Sequence, residues 1–319
     1  MIKGYEILTA QSAQESLLEY HKQGALRGIY LGFAPLHQHY TMSLPGVTDW
    51  TGFPQSGKSE FLLEMLLNAT LYKGWKHLLF VPDVGDKNEI LDILIHKVSG
   101  KTFDKRYINS NYITENEVMH HMQWVCEHFK ILVQTDLKAK MTPYEFWDLA
   151  AEMKKTDGIQ TVTIDSWKDM RHGIAPDGTT FGRDDKYLED VLSYRNLMAE
   201  HHKMHFHTVI HPTKTEADKD GSRKAPTPYD LKGGSEWYNN GKCMITVHRV
   251  HGSANEVDIM ITKAKPKSVA KVGKVTMFFN RTLAKFYYID ENNNDVYATS
   301  KYEELTGNKI DEDDDTVPF

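Results

Sequence analysis

The segment TGFPQSGKSEF, at positions 51–61, constrains the fold of this chain more than any other feature. Four residues separate Gly52 from Gly57, and Lys58 and Ser59 follow directly. This is the spacing of a phosphate-binding loop, in which glycines let backbone N–H groups face a phosphate, the lysine neutralises the β and γ oxygens, and the serine ligates Mg²⁺. Such a loop lies between a strand and a helix, so it indicates an α/β fold.

The flanking residues supply that context. PGVTDWTG before the loop is typical of a short strand, and SEFLLEMLLNATLYKG after it has apolar residues at helical spacing and ends at Gly74. The sequence therefore predicts that the chain binds a nucleoside triphosphate, such as ATP, together with Mg²⁺. We expect the loop to contact the nucleotide through Gly52, Phe53, Pro54, Gln55, Ser56, Gly57, Lys58, Ser59 and Glu60.

Predicted strands and helices alternate through most of the chain. The strand segments KHLLFVPD, KILVQT, GIQTVTIDSW and HFHTVIHP are separated by helical segments such as KNEILDILIHKVSG and DDKYLEDVLSYRNLMAEHH. This alternation indicates a parallel sheet with right-handed crossovers. From about residue 243, four strand-like segments follow one another with short turns. We therefore predict an α/β fold with a mostly parallel central sheet and an antiparallel β extension on its C-terminal side.

Composition excludes several classes of protein. The 319 residues are 40% hydrophobic, which is enough for a substantial core, and no apolar run approaches the ~20 residues of a membrane span. The two cysteines, Cys126 and Cys243, lack the spacing of a metal site and fit a reducing compartment. The N-terminal residues have no signal pattern. We expect a cytoplasmic protein without membrane partners, and the net charge of −6 is no evidence for nucleic acid.

Two strand-end aspartates are candidates for the chemistry of the site. Asp165 ends the strand segment TVTID and is placed to serve a metal ion beside the phosphate loop. Asp83 ends LLFVPD, which we expect next to the phosphate-loop strand, where it would polarise the attacking water. A strand that ends in aspartate is common, and Asp83 is also typical of a turn or a helix N-cap.

Five motifs in order resemble the motor domain of hexameric replicative helicases. These are TGFPQSGKSEF, GWKHLLFVPD, VIHPTK, PTPYDLKGGSEWYNNGKCMITVHR, and ITKAKPK before VGKVTMFFNR. The likeness is to the DnaB-type and Twinkle-type enzymes, especially the phage primase-helicase branch, and it runs from about residue 24 to 290. It implies a RecA-like core, ATP-driven translocation on single-stranded DNA, a ring of about six subunits, and a bacterial cell that carries a phage or prophage.

The resemblance implies roles for the residues around the nucleotide. Lys58 and Ser59 would hold phosphate and Mg²⁺, and Asp165 would hold the metal directly or through water. Asp83 falls where the family usually has glutamate, so it would be the base, with one methylene less of reach. His211 falls at the polar sensor of the γ-phosphate; the bland alternative is a hydrogen-bonded strand-end histidine. His205 and His207 look like ordinary strand residues rather than metal ligands.

Two further segments have implied roles. The segment 212–234 would grip the DNA backbone in the central channel, although a lysine-bearing loop is equally typical of plain solvation. Its candidate DNA-binding residues are Lys214, Arg223, Lys224, Lys232, Gly233 and Gly234. Lys263 and Lys265 fall where the family sends a lysine and an arginine to the neighbour's γ-phosphate. A lysine in place of the arginine cannot bind two oxygens at once.

The expected domain order is an N-terminal arm at 1–40, the ATPase motor at 41–292 and an acidic, disordered tail at 293–319. The helical segment AQESLLEYHKQG in the arm would pack on the adjacent subunit, or else on its own domain. The tail ends in acidic residues followed by Pro-Phe, which resembles the C-terminal tip of single-stranded-DNA-binding proteins. The resemblance implies docking of replisome proteins, with solubility and competition for the channel lysines as alternatives. The docking residues would be Asp313, Asp314, Asp315, Pro318 and Phe319.

A second class of function also fits a RecA-like core. A recombinase or loader would bind single-stranded DNA with nucleotide as a switch and would not unwind it. The linker helix and DLKGGSEWY favour the helicase, whereas the missing glutamate and arginine favour this alternative.

Overall fold

The computed structural model describes residues 7–24, 27–107, 110–136, 138–213 and 218–298. The tail residues from 299 onward, with all five candidate docking residues, and Lys214 lie outside these ranges. The helices are α1 (Ala10–Gln23), α2 (Ala34–His37), α3 (Lys58–Lys73), α4 (Lys87–Ser99), α5 (Glu115–His128), α6 (Pro143–Thr156), α7 (Asp184–His202) and α8 (Gly234–Asn240). The strands are β1 (Gly46–Thr51), β2 (His77–Phe80), β3 (Phe129–Ile131), β4 (Thr161–Asp165), β5 (His205–Ile210), β6 (Cys243–Arg249), β7 (Glu256–Lys263), β8 (Gly273–Asn280), β9 (Lys285–Ile289) and β10 (Asp295–Tyr297).

The ten described strands form one sheet in the order β10-β9-β8-β7-β6-β1-β5-β4-β2-β3. Pairing is parallel from β3 through β6 and antiparallel from β6 through β10, which confirms the predicted fold class. β6 connects the parallel and antiparallel parts of the sheet, because it pairs in parallel with β1 and antiparallel with β7. One expectation is wrong: β5 and β4 separate β2 from the phosphate-loop strand β1.

Helices cover both faces of the sheet. Alternate side chains of β2 point to opposite faces, since Leu79 belongs to one core cluster and Leu78 and Phe80 to the other. The first cluster contains apolar residues of α3, α4 and α5, and the second contains those of α6, α7 and α8. The parallel strands are therefore buried on both sides, and their carboxyl ends are free to form a site.

Local signals explain where the helices begin and end. α3 ends at Gly74, whose φ of 64° is left-handed and whose N–H bonds to carbonyls of the last turn. Capping boxes start α4, α5 and α6. Each has a glutamate three residues after its N-cap, and the N-caps are Asp86, Thr114 and Thr142. The residues that start or end these helices lie next to the helices in the sequence, so the boundaries were predictable.

Both expected boundaries of the motor shift. Leu31, Phe33 and Leu36 are buried in the core cluster of α3, so the motor begins before residue 41. β10 pairs with β9 inside the segment expected to be tail. By contrast, Leu17 and Leu18 of α1 are 63% and 51% exposed. These two side chains are therefore largely uncovered by their own chain, and where the arm packs stays a prediction.

No helix in the described part of the chain is long and apolar enough to span a membrane.

Candidate nucleotide-binding site

The loop between β1 and α3 has the backbone of a phosphate cradle. Gly52 is buried with φ of 152°, and a Cβ there would lie 2.2 Å from the Val247 carbonyl oxygen. Gly57 caps α3 with φ of 91°, a left-handed conformation that glycine adopts without strain. Gly52 is thus required because the Val247 carbonyl lies too close for a side chain, and Gly57 is required because its φ is left-handed.

Lys58 and Ser59 lie at the first turn of α3. Lys58 is nearly buried, and its Nζ donates to the carbonyl oxygen of Phe53 within the loop, at 3.0 Å. Burial lowers the pKa of Lys58, while the carboxylates of Asp165 and Asp83 oppose this shift. The ammonium is therefore poorly solvated and close to two acids, an arrangement in which a phosphate group is a better partner than a carbonyl.

Asp165, at the end of β4, lies directly against the helix start. Ser59 Oγ donates to Asp165 Oδ2 at 2.5 Å. Burial raises the pKa of the Asp165 carboxyl, and the Ser59 hydrogen bond and the Lys58 charge oppose this shift. The sequence-predicted pair is therefore brought together, although 106 positions separate the two residues in the chain.

The donors at this position fit Mg²⁺. Ser59 and Asp165 offer a hydroxyl and a carboxylate, the hard oxygen ligands that Mg²⁺ combines with phosphate and water. In the loop itself, the hydroxyl of Ser56 is buried and has no hydrogen-bond partner among the described residues. A buried hydroxyl without a partner is costly, so this atom also suits a bound phosphate.

Asp83 and His211 come from different strand ends and meet. His211 Nε2 donates to Asp83 Oδ2 at 2.9 Å, and the ammonium of Lys168 lies 2.6 Å from Asp83 Oδ1. Burial acts to raise the pKa of Asp83, but the hydrogen bonds from Lys168 and His211 outweigh it and leave the pKa lowered. Sequence reasoning identified Asp83 and His211 but missed Lys168, which belongs to no motif.

A cavity of ~300 Å³ beside Gly57 and Glu60 was also missed. Phe279 and Phe286 supply aromatic walls, and Arg249 and Arg281 line it with charge. The hairpins of the antiparallel extension bring these residues beside the phosphate loop. The aromatic pattern in VTMFFN and KFYYID was the available signal, but strand alternation alone does not tell which face meets the loop.

The candidate DNA-binding residues have varied surroundings. The Arg223 guanidinium lies over the ring of Phe53 in the phosphate loop, 5.3 Å from its centroid. Lys232 pairs with Asp184 at 3.1 Å on the surface, and Lys224 is exposed. Arg223 is exposed and at the same time contacts the nucleotide loop.

The two glycines of this segment serve packing. A Cβ on Gly233 would lie 2.3 Å from Leu188 Cδ1, and one on Gly234 would lie 2.6 Å from the Pro228 carbonyl oxygen. Gly234 is also buried. Both positions therefore have a packing reason for glycine, and the contact of their amides with DNA stays a prediction.

The two candidate trans-acting lysines differ. Lys263 is nearly buried, donates to the carbonyl oxygens of Tyr238 and Asn239, and lies over the Tyr238 ring, 4.6 Å from its centroid. Burial lowers its pKa, and the neighbouring Lys265 charge adds to the shift. Lys263 is thus engaged within its own chain, and its reach to a neighbour stays a prediction. Lys265 is exposed.

The histidines of β5 are structural, as expected. His205 is buried and bonds the carbonyl of Ser43 and the hydroxyl of Thr48, and His207 accepts from the indole N–H of Trp50. No group of three or more potential histidine, cysteine or carboxylate ligands is placed to hold a metal ion within the described ranges.

The fold and the loop are those of a RecA-like domain with a phosphate-binding loop, and comparisons show which proteins the chain resembles. No family model matches the chain. The Twinkle homolog protein, chloroplastic/mitochondrial, of Arabidopsis thaliana is 25% identical over 268 residues, which are 81% of this chain. The match spans 36% of that relative, so the chain corresponds to about a third of its length.

Solved structures show the same fold. An ATPase domain superimposes with a TM-score of 0.70 at 16% identity, covering 89% of this chain and 100% of that one. A DnaB-like replicative helicase, solved for its interactions with primase, gives a TM-score of 0.65 at 16% identity and covers 88% of this chain and 67% of that one. The resemblance to DnaB-type and Twinkle-type motor domains is thus confirmed.

Proposed function

We propose that this chain is the motor of a replicative DNA helicase, which hydrolyses a nucleoside triphosphate to move on single-stranded DNA. The convergence of Lys58, Ser59, Asp165, Asp83 and His211 at one edge of the sheet carries this proposal. The similarity to Twinkle and to a DnaB-like helicase does not favour the recombinase or loader.

The chain's own residues suit each part of hydrolysis. Mg²⁺ and the triphosphate, when bound, supply the charge neutralisation and the leaving group. Lys58 would exchange the Phe53 carbonyl for phosphate oxygens, and Asp165 would fix Ser59 at the metal. Asp83 would take a proton from the attacking water; its lowered pKa keeps it ionised but weakens it as a base.

His211 joins the nucleotide site to the segment proposed to bind DNA. It follows β5 and precedes that segment, and its ring contacts Asp83. A change in this contact on loss of the γ-phosphate would move the start of the segment. The cavity lined by Phe279 and Phe286 suits the nucleotide base, because aromatic walls favour stacking.

A ring of about six subunits fits the exposed arm. The apolar side chains of Leu17 and Leu18 are uncovered and suit packing on a neighbouring motor. Lys265 is the exposed candidate for reaching a neighbour's nucleotide. We also propose that Asp313, Asp314 and Asp315 in the tail dock replication proteins, which neutralising these aspartates would test by loss of binding.

Strand separation distinguishes the helicase from the alternative. The wild-type chain should hydrolyse ATP faster with single-stranded DNA and should unwind a forked duplex, and Lys58→Ala should do neither. DNA binding and DNA-stimulated hydrolysis without unwinding would instead support the recombinase or loader. Hydrolysis that persists in Lys58→Ala would contradict the site itself.

Mixed subunits test the trans role of Lys265. Increasing proportions of Lys265→Ala chains should reduce activity more steeply than simple dilution, because each altered subunit would also silence a neighbour. Lys271→Ala, which changes an exposed lysine nearby, is the matched control. A loss in proportion to dilution would contradict a site shared between subunits.

A further inference from the structure

Each oxygen of the Asp83 carboxylate is held by a different side chain. Lys168 Nζ lies 2.6 Å from Oδ1, and His211 Nε2 lies 2.9 Å from Oδ2. We propose that Lys168 is a positioning residue for hydrolysis, which holds Asp83 where its short side chain reaches the attacking water. The inference rests on the proposed function, in which Asp83 is the base.

Asp83 has little support from its own segment. It lies in the connection between β2 and α4, and its N–H donates to the Asp165 carbonyl over a long 3.4 Å. Its side chain is 35% exposed. A carboxylate in such a loop is free to occupy several rotamers, and two donors on separate oxygens select one of them. The choice of rotamer is important because the short Asp83 side chain must reach the attacking water, and a misplacement of about 1 Å costs roughly 100-fold in rate.

Lys168, in contrast, is carried by a firmly held turn. The 3-10 turn Trp167–Asp169 begins two positions after Asp165. Ser166 is fully buried, and its hydroxyl and N–H both donate to the Asp169 carboxylate, at 2.9 Å and 3.3 Å. The carbonyl of Trp167 accepts from His172 Nε2 at 2.7 Å. The backbone of Lys168 is therefore fixed on both sides, and only its side chain adjusts.

The same turn contacts the helix that follows the proposed DNA segment. The ring of Trp167 meets that of Trp237 in α8 edge to face, with centroids 5.1 Å apart. Trp237 is fully buried and lies three residues after Gly234, where the segment ends. Lys168 is thus carried by a turn that contacts both the nucleotide side and the DNA side of the domain.

The exposed surroundings of Lys168 indicate that it contributes little to the stability of the fold. Its side chain is 55% exposed, and it shares its charge with Asp169 at 3.3 Å. Exposed ion pairs of this kind contribute ~0–1 kcal/mol to folding. Replacing Lys168 should therefore leave the fold intact, so that a loss of turnover reports on Asp83.

The test replaces Lys168 and measures steady-state ATP hydrolysis with saturating single-stranded DNA. We expect Lys168→Met to lower kcat roughly 10- to 100-fold with KM for ATP within about twofold, since Lys58 still holds the phosphates. Lys168→Arg keeps the charge and should restore most of the rate. Lys186→Met removes a comparable exposed pair, Lys186 with Glu189 at 2.7 Å, and should behave as the wild type.

A double-mutant cycle with Asp83→Asn decides whether Lys168 acts through Asp83. Lys168→Met should have no further effect on kcat in the Asp83→Asn chain. An unchanged kcat in Lys168→Met, or an equal loss in both backgrounds, would overturn the inference while leaving the helicase intact. A wild-type chain that binds ATP but never hydrolyses it would overturn the proposed function as well.

Discussion

His211 Nε2 donates to Asp83 Oδ2 at 2.9 Å, and this bond crosses β4, the strand that ends in Asp165. Asp83 follows β2 and His211 follows β5, with β4 between them. The carboxyl ends of parallel strands meet at one edge of a sheet, so residues far apart in the chain converge there. The bond therefore links the proposed base to the start of the proposed DNA segment.

Asp83→Asn should slow hydrolysis without weakening nucleotide binding. The amide cannot accept a proton, and general bases contribute roughly 10²- to 10⁴-fold to turnover. Steady-state kinetics should show a fall of that order in kcat, with titration of a fluorescent nucleotide unchanged. Asp185→Asn changes an exposed aspartate that pairs with Arg183 and is the control. A fall of less than about threefold in kcat would assign the base to another group.

Asp165→Asn should abolish DNA-stimulated hydrolysis through the metal. The amide is a poorer ligand for Mg²⁺ and a poorer acceptor for the Ser59 hydroxyl. The dependence of nucleotide affinity on Mg²⁺ concentration, measured by titration, should weaken in the same variant. Full turnover with unchanged Mg²⁺ dependence would exclude Asp165 from the metal site.

The phosphate loop was predictable because its information is local. Its four key residues lie within eight positions: Gly52, Gly57, Lys58 and Ser59. The close backbone approach and the left-handed φ both occur at positions where the sequence has glycine. The start of α3 and its end at Gly74 follow from the same short segment. The pairing of Ser59 with Asp165 was predictable for a different reason, since both follow strands whose carboxyl ends share an edge.

The remainder of the site depends on tertiary placement. Lys168 carries no motif, and its contact with Asp83 exists only because β2 and β4 are neighbours, a sheet order that periodicity does not specify. The inward direction of Lys263 depends on the position of α8, whose carbonyls it contacts. Arg223 lies over Phe53 because a long segment returns to the loop. Sequence spacing alone could not supply any of these three contacts.

A buried ion network behind the phosphate loop should be important for stability. Lys97 is fully buried, with its Nζ 2.8 Å from Glu60, 3.4 Å from Glu64 and 2.7 Å from the carbonyl oxygen of Ala284. Burial raises the pKa of Glu64 to about 6, although Lys97 and the Phe286 N–H oppose the shift. Lys97→Met leaves the carboxylate with the more distant charge of Lys285, and we expect a loss of ~3–5 kcal/mol in the free energy of unfolding.

Denaturant unfolding measures this loss, and a second change tests its cause. Lys97→Met with Glu64→Gln should be more stable than Lys97→Met alone, because the double variant removes the buried unpaired charge. Lys274→Met removes an exposed lysine paired with Asp258 at 2.9 Å and should change stability by less than about 1 kcal/mol. A double variant less stable than the single one would contradict the charge argument.

Three buried histidines should make the domain sensitive to mild acid. Burial lowers the pKa of His77 to about 3 and of His205 to about 4, and it lowers the pKa of His207 well below its ordinary value of 6.5. Their bonded ring nitrogens contact neutral partners, such as the hydroxyls of Thr70 and Thr161 around His77. Nε2 of His207 is buried and has no hydrogen-bond partner among the described residues. The folded state therefore needs each ring neutral, whereas the unfolded chain takes up protons below about pH 6.5.

The lowered pKa values of these histidines mean that the free energy of unfolding decreases as the pH falls. Each histidine contributes its full stability above pH 6.5 and loses it progressively as the pH falls toward 4, by ~2 kcal/mol per histidine between pH 7 and pH 5. Glu64 acts in the opposite direction, since its raised pKa favours the folded state below about pH 6, but it offsets only part of the loss. Denaturant unfolding at pH 7.5, 6 and 5 should show a steep decrease. His77→Gln should flatten that slope by about one proton, and the exposed His201→Gln should not change it. An identical slope in His77→Gln would show that His77 is not kept neutral by the fold.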